Sequence, residues 1–219
     1  MLDVFFSHGT EFLLGLWVSL KLCLCIWTTS ILGGCLLGYL SAKEPASIGM
    51  PVRAAGMCLM GVPPVVFLFW LHYPAQAVLG IVVDPFLTSI VALSIIGVFM
   101  VGDIVRNVIV DFPHQYLLAA RVCGLSESYS FFKIVLPIAA RQIIPNLLVT
   151  MVFLFQCTLF TSFISVNEVF RVAQRVNSME YKPIEIFTAL AIFCILFCLP
   201  LYLLANYVRS THTRDIGEQ

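Results

Sequence analysis

Apolar residues fall along the chain in five long runs, at about residues 11–39, 50–71, 86–105, 143–166 and 184–208. The hydrocarbon core of a bilayer is about 30 Å thick and takes roughly 20 helical residues per crossing. Each run is therefore long enough to span it once. The runs are continuous rather than alternating, and in lipid every backbone N–H and C=O must find its partner inside the protein, so helices are favoured over barrel strands. The pattern predicts an all-α integral membrane protein, a single transmembrane domain over residues 1–219 with five transmembrane helices.

Composition sharpens this picture. The chain is 60% hydrophobic and 11% charged, with a mean hydropathy of +0.99, whereas a soluble domain is roughly a quarter charged. Lys plus Arg and Asp plus Glu balance at 12 each, which removes the bulk positive charge that draws proteins to nucleic acid. The segment Met1 to Thr10 holds no Lys or Arg, and the apolar run behind it is too long for the core of a signal peptide, so the first helix is expected to stay. Five helices are few to enclose a pathway, and assembly with other subunits is expected.

Positive charge sets the expected orientation, because Lys and Arg near helix ends are retained in the cytoplasm. Lys43, Arg53, Arg106, Arg121, Lys133, Arg141, Arg209 and Arg214 fall on one side; Arg171, Arg175 and Lys182 fall on the other. This asymmetry places the N-terminus outside and the C-terminus in the cytoplasm. The connection at about 72–84 is then external, and that at about 106–142 cytoplasmic.

The second of these is too long for a turn, and such loops usually have structure and function of their own. Asp111-Phe112-Pro113 opens a helix, since proline and an acidic residue both suit its first turn. The helix runs over 113–123, and Gly124 can end it in the left-handed conformation. Ser126 or Ser128, with Glu127, can cap a second helix that Pro137 disrupts or kinks. Ala119 and Ala120 let another protein approach the first helix closely. An amphipathic helix lying on lipid fits the same residues, and both readings stay open on the pattern alone.

The run Leu118-Ala119-Ala120-Arg121-Val122-Cys123-Gly124, followed by Phe132, Ile134 and Leu136-Pro137, resembles the EAA loop of ATP-binding-cassette (ABC) importer permeases. Over about 15–208 the chain is similar to the polar amino acid permeases among them. Gly15-Leu16-Trp17-Val18-Ser19-Leu20-Lys21-Leu22 resembles that family's opening of helix one. Met60-Gly61-Val62-Pro63 stands where the family has Arg-Gly-Thr-Pro, Asp103-Ile104-Val105-Arg106 where it has Glu-Ile-Val-Arg, and Glu168-Val169 where it has Glu-Leu. Two departures are plain: Leu118 replaces the usual Glu of the loop, and Gln156-Cys157-Thr158-Leu159 replaces Lys-Asp-Thr-Ser on helix four.

The resemblance implies the type I ABC importer permease fold in a bacterial inner membrane. A cytoplasmic ABC ATPase dimer would dock on the loop as a coupling helix, with ATP and Mg bound by that partner and no cofactor in this chain. A second permease subunit, identical or homologous, and an extracytoplasmic solute-binding protein would complete the importer. Leu118, Ala119, Ala120, Arg121, Gly124 and Glu127 are then the expected ATPase contacts.

Polar side chains at membrane depth are costly and tend to face a cavity or a partner. On the fourth run Gln156, Thr158, Thr161 and Ser162, with Ser165 behind them, are candidates for the solute pathway, and Gln156 carries both donors and acceptors suited to a zwitterion. Hydrogen bonding between helices accounts equally well for the Ser and Thr residues. Asp103 and Arg106, three apart on one helix face, suit a cytoplasmic gate or a local ion pair.

Other chemistry recedes. Of the 8 Cys, only Cys123 lies outside the apolar runs, and neither a Cys-x-x-Cys nor a His-x-x-x-His pair occurs, so a metal site is not expected. Leu20 stands where the second glycine of a phosphate loop would be needed, so the chain is read as a transport subunit without its own ATPase site. A secondary transporter subunit would share the composition, and a heterodimer half that does not touch solute would explain the departing helix four. Neither a secondary transporter nor a membrane enzyme accounts for the long structured loop.

Overall fold

The computed structural model describes the backbone of residues 2–217 and the side chains of residues 8–210, apart from those of His114, Leu117 and Glu127. Ten helices run in order: α1 (Leu2–Lys43), α2 (Met50–Met60), α3 (Pro64–His72), α4 (Pro74–Leu79), α5 (Pro85–Val110), α6 (His114–Val122), α7 (Glu127–Ser130), α8 (Leu136–Thr158), α9 (Val169–Glu180) and α10 (Pro183–Gly217). No strand occurs among the described residues.

Four segments are long and apolar enough to cross a bilayer: His8–Lys43, Pro85–Val110, Ser128–Ile164 and Pro183–Ser210. The predicted second span is divided, with Pro45–Met60 and Pro64–Leu79 meeting at 95°. The break has a local cause. Pro63 and Pro64 both lack an N–H, and Pro63 takes an extended ψ of 135°, so the helical ladder cannot pass. The fourth span starts earlier than the apolar run suggests. A π-helical turn at Phe131–Val135 joins α7 to α8 and leaves Pro137 in the first turn of α8. The disruption expected there is thus absorbed as a local widening of the helix.

The core forms where α1 lies against α5. A Cβ built at Gly34 would sit 2.5 Å from Val101 Cβ, and one at Gly38 would sit 2.6 Å from the Gly102 carbonyl oxygen. The Gly34/Gly38 stripe therefore lets two helices approach at backbone distance, as small residues do in membranes. Around this seam Leu22, Ile26, Leu68, Leu93, Val101 and Leu154 are fully buried. Burial is uneven: 50% of the apolar window of α5 and 56% of that of the α8 span lie inside the bundle, against 6% for α10. The last helix is a peripheral rod, with Ile195, Leu196 and Leu203 exposed.

A feature without a place in the apolar pattern is α9, which lies between spans. Val169, Val172, Ala173 and Val176 are buried, at the spacing of one helix face. They pack on Phe12 of α1 and on Ile186 and Leu190 of α10. Gly15 makes room for them, because a Cβ there would meet Val172 Cγ2 at 2.8 Å.

Candidate functional site

The connection between α5 and α8 forms an elbow. Phe112 is buried at its base, with its ring 6.0 Å from that of Tyr116. Pro113 precedes α6 with φ −64°, a value its ring enforces. At the far end Leu125 N donates to Ala120 O at 3.0 Å and Gly124 N donates to Arg121 O at 3.0 Å, the paired bonds of a Schellman cap. Gly124 supplies the left-handed residue that this cap needs, with φ 72°. Ser126 then caps α7, its Oγ accepting from Tyr129 N at 3.3 Å; the alternative cap, Ser128, makes no such bond. Both loop helices and the glycine turn that the sequence predicts are therefore present.

The outer surface of the elbow sets exposed apolar residues among polar ones, with Gln115 and Arg121 exposed beside them. Leu118 is 60% exposed and Val122 88%. The two small residues part company: Ala120 packs inward while Ala119 and Arg121 lie exposed. The side chain of Glu127 lies outside the described residues. Below α6, a groove of about 510 Å³ is lined by Phe112, Arg121, Leu125, Phe131 and Phe132. Exposed apolar residues such as Leu118 and Val122, beyond the spans and beside the charge of Arg121, mark a surface suited to a protein partner.

The candidate pathway residues separate in the same way. Gln156 is exposed on α8. Thr158, Thr161 and Ser162 are fully buried and donate to backbone carbonyls three residues earlier, at 2.7, 2.7 and 2.8 Å. Ser165 ends the following 3-10 turn with φ 73°. Asp103 and Arg106 make no direct ion pair. Asn107 joins them, donating from Nδ2 to Asp103 Oδ2 at 3.2 Å and accepting from Arg106 Nη1 at 3.1 Å.

At the opposite end of the bundle stands a group whose role the residue pattern did not disclose. Glu168 is fully buried and caps α9, accepting from Phe170 N and Arg171 N at 2.8 Å each. Burial pushes its carboxyl up to about 7, opposed by those backbone bonds. Ser19 of α1 accepts from Val169 N at 3.2 Å, and Arg171 Nη1 donates to Ser162 O at 2.8 Å. His8 adds a second tie, its ring nitrogens each 3.3 Å from a carboxylate, Glu11 on one side and Glu180 on the other. An acidic residue directly before an i, i+3, i+4, i+7 apolar set is the signal that could have revealed α9. Among the described residues no group of three or more His, Cys, Asp or Glu could hold a metal ion.

A helical bundle with one broken crossing, polar groups at membrane depth and a structured elbow outside the spans defines a membrane-embedded transport component. The chain belongs to the family of binding-protein-dependent transport system inner membrane components, which matches residues 34–211. It is 25% identical over 189 residues to the octopine transport system permease protein OccM of Rhizobium meliloti, covering 81% of this chain and 77% of that one. It is 28% identical over 195 residues to the L-cystine transport system permease protein TcyB of Bacillus subtilis, covering 86% and 82%. Its fold matches that of a chain in an amino acid ABC transporter crystallised with histidines, at a TM-score of 0.82, 21% identity and coverage of 93% and 95%. A chain of the MetNI methionine ABC transporter in an inward-facing conformation follows at 0.74, 15% identity and coverage of 93% and 97%. The chain is thus an ABC importer permease of the type I fold, a multi-pass inner-membrane protein.

Proposed function

We propose that this chain couples ATP hydrolysis by a partner to uptake of polar amino acids through alternating access. The observation that carries the reading is the elbow: two short helices joined by the Gly124 cap, with Leu118 and Val122 exposed on its outer side. Leu118, Ala119, Ala120, Arg121, Gly124 and Glu127 form the seat for a cytoplasmic ABC ATPase dimer, which binds the ATP and Mg. The N-terminus is outside and the C-terminus in the cytoplasm, so Asp103 and Arg106 gate the inner end of the pathway. Gln156, exposed on the fourth span, faces it, with Thr158, Thr161 and Ser162 packed behind. A second permease subunit and an extracytoplasmic solute-binding protein complete the importer. The amino acid class rests on the relatives, named for octopine and L-cystine transport.

A second reading is favoured by one observation. Thr158, Thr161 and Ser162 spend their hydroxyls on their own backbone, as expected of a pairing subunit that leaves solute contact to its partner. Copurification tests the main proposal. A tagged chain should bring down an ABC ATPase, and Ala119→Trp, which fills the small exposed position on α6, should lose it. Absence of any ATPase, or undiminished capture by the variant, refutes the coupling role.

A further inference from the structure

At the end of the bundle opposite the elbow, the connection from α3 to α5 carries an apolar tip. Val78 is 87% exposed and Val82 99%, with Leu79 and Ile81 exposed beside them. No Asp, Glu, Lys or Arg occurs from residue 54 to residue 83. Contiguous exposed apolar residues of this kind mark a contact with a protein or a membrane.

Hydrogen bonds hold this tip in place. Gly80, with φ 65°, ends α4, and Ile81 N donates to Gln76 O at 3.1 Å. Gln76 Oε1 accepts from Val83 N at 2.8 Å, while its Nε2 donates to Thr88 Oγ1 at 3.0 Å. Thr88 Oγ1 in turn donates to Asp84 O at 3.0 Å. These bonds clamp the connection to the first turns of α5 and fold it back along that helix. Leu79, Ile81 and Val83 then line, with Leu71 and Val91, a notch of about 150 Å³. A water in the notch would need several polar partners, and the polar side chains on its wall, Gln76 and Thr88, already bond each other. The notch suits a hydrocarbon chain.

Position along α5 places the notch at bilayer depth. The helix has 26 residues and is about 39 Å long, against about 30 Å of hydrocarbon. Centred on the membrane, it protrudes by about 4–5 Å at each end, whereas Val91 lies about 9 Å in from Pro85. The tip is also continuous with the exposed apolar surface of the spans. On α3, Val66, Phe69, Trp70 and Tyr73 are exposed at the spacing of one helix face. Trp70 and Tyr73 stand nearest the tip, and such rings favour the boundary between headgroups and hydrocarbon. Leu87 and Val91 continue the exposed surface on α5.

We propose that the tip over residues 78–82 is sunk into the leaflet opposite the elbow and that the notch behind it holds a phospholipid acyl chain. The connection then anchors α3 and α5 to lipid instead of offering a face to a partner protein. The test uses the complete importer in phospholipid nanodiscs, with the extracytoplasmic binding protein added. A nitroxide is coupled to a keto amino acid encoded at Val82, which leaves the native cysteines untouched. The same label at Leu196, exposed on the last span, is the bilayer standard. Dissolved oxygen concentrates in hydrocarbon and a nickel chelate in water, so oxygen should relax the Val82 label several-fold more than the chelate does, as at Leu196. Benzoylphenylalanine encoded at Ile81, on the notch wall, should on irradiation add the mass of a phospholipid to the chain. Ala75→Phe, which fills the notch from its other wall, should lower the yield of that adduct.

Stronger relaxation of the Val82 label by the nickel chelate would show a tip in water. Protection from both agents, or a photoadduct with the binding protein or a second permease subunit, would show a tip covered by protein. Either result, or a lipid adduct at Ile81 that Ala75→Phe leaves undiminished, overturns the proposal. The inference needs only a membrane-spanning chain, so its failure would leave ATPase capture and uptake intact, and loss of ATPase capture would leave the label and the adduct unchanged.

Discussion

Substitution of Gly124 separates backbone conformation from packing at the elbow. The residue holds φ 72°, and a Cβ built on it meets nothing within 4 Å. A Cβ there would meet no neighbouring group, which leaves the penalty of the left-handed region, about 1–2 kcal/mol for an L-residue. One or two kcal/mol changes a two-state ratio by roughly 5–30-fold, so Gly124→Ala should leave the cap formed in a correspondingly smaller share of molecules. Asn tolerates the left-handed region and Val does not, which orders the series Gly, Asn, Ala, Val. The assay is ATP-driven uptake in vesicles beside the melting temperature of the purified chain. Uptake should fall in that order while the melting temperature stays level, because the turn lies outside every span. Equal uptake for Gly and Val, or Asn falling as far as Val, would show that the left-handed cap is not what the elbow needs.

Two further outcomes follow from the packing and from burial. Gly34→Ala, whose Cβ would meet Val101 Cβ at 2.5 Å, should destabilise the bundle by about 1–3 kcal/mol through overpacking. By contrast Gly102→Ala, whose nearest neighbour would be Leu37 Cδ2 at 3.5 Å, should change the melting temperature little; equal losses would refute the account of the seam. For Glu168 the folded carboxyl lies at about 7 against an ordinary 4.5 because of burial. The folded state therefore holds the proton more tightly than the unfolded one. Its contribution is fully present below 4.5 and is lost as pH rises to about 7, a difference of about 3 kcal/mol. Glu168→Gln should remove that decline, measured as the difference in melting temperature between variant and parent across the window; parallel profiles would sink the assignment.

The apolar pattern made the spans legible because the bilayer enforces a length and a hydropathy on each. It made α6, Gly124 and α7 legible as well, because Pro113, the glycine and Ser126 are local signals whose geometry needs no tertiary partner. Elsewhere local signals were overridden or absent. The second run reads as one crossing in hydropathy, yet Pro63 and Pro64 divide it, since lacking two donors matters more to a helix than remaining apolar. Four-residue periodicity over Val169–Val176 is a clear helix signal, but it is too short and too polar to register beside runs of twenty. Glu168 owes its character to burial between α1 and the start of α9, a tertiary fact. The polar residues of the fourth span are the hardest case. Sequence shows that Thr158, Thr161 and Ser162 lie at membrane depth, but whether a hydroxyl faces a cavity or its own backbone depends on a side-chain rotation that no spacing encodes.

The distribution of burial bears directly on how a push at the elbow would travel. Its two ends continue into α5 and α8, whose apolar windows are 50% and 56% inside the bundle, whereas α1 and α10 reach 28% and 6%. The elbow is thus wired to the two most enclosed helices, and those carry Asp103, Arg106, Gln156 and Thr158. A packed interior transmits displacement because it cannot absorb volume change at low cost, and the glycine seam ties α5 to α1 at backbone distance. Displacing the elbow would move Asp103, Arg106, Gln156 and Thr158 together with α1, while α10 yields to lipid. The segments that meet at that end are placed to move with it: Ser41 lies in the last turn of α1, Arg106 one turn before the end of α5, and the π-helical turn over Pro45–Gly49 starts the broken span.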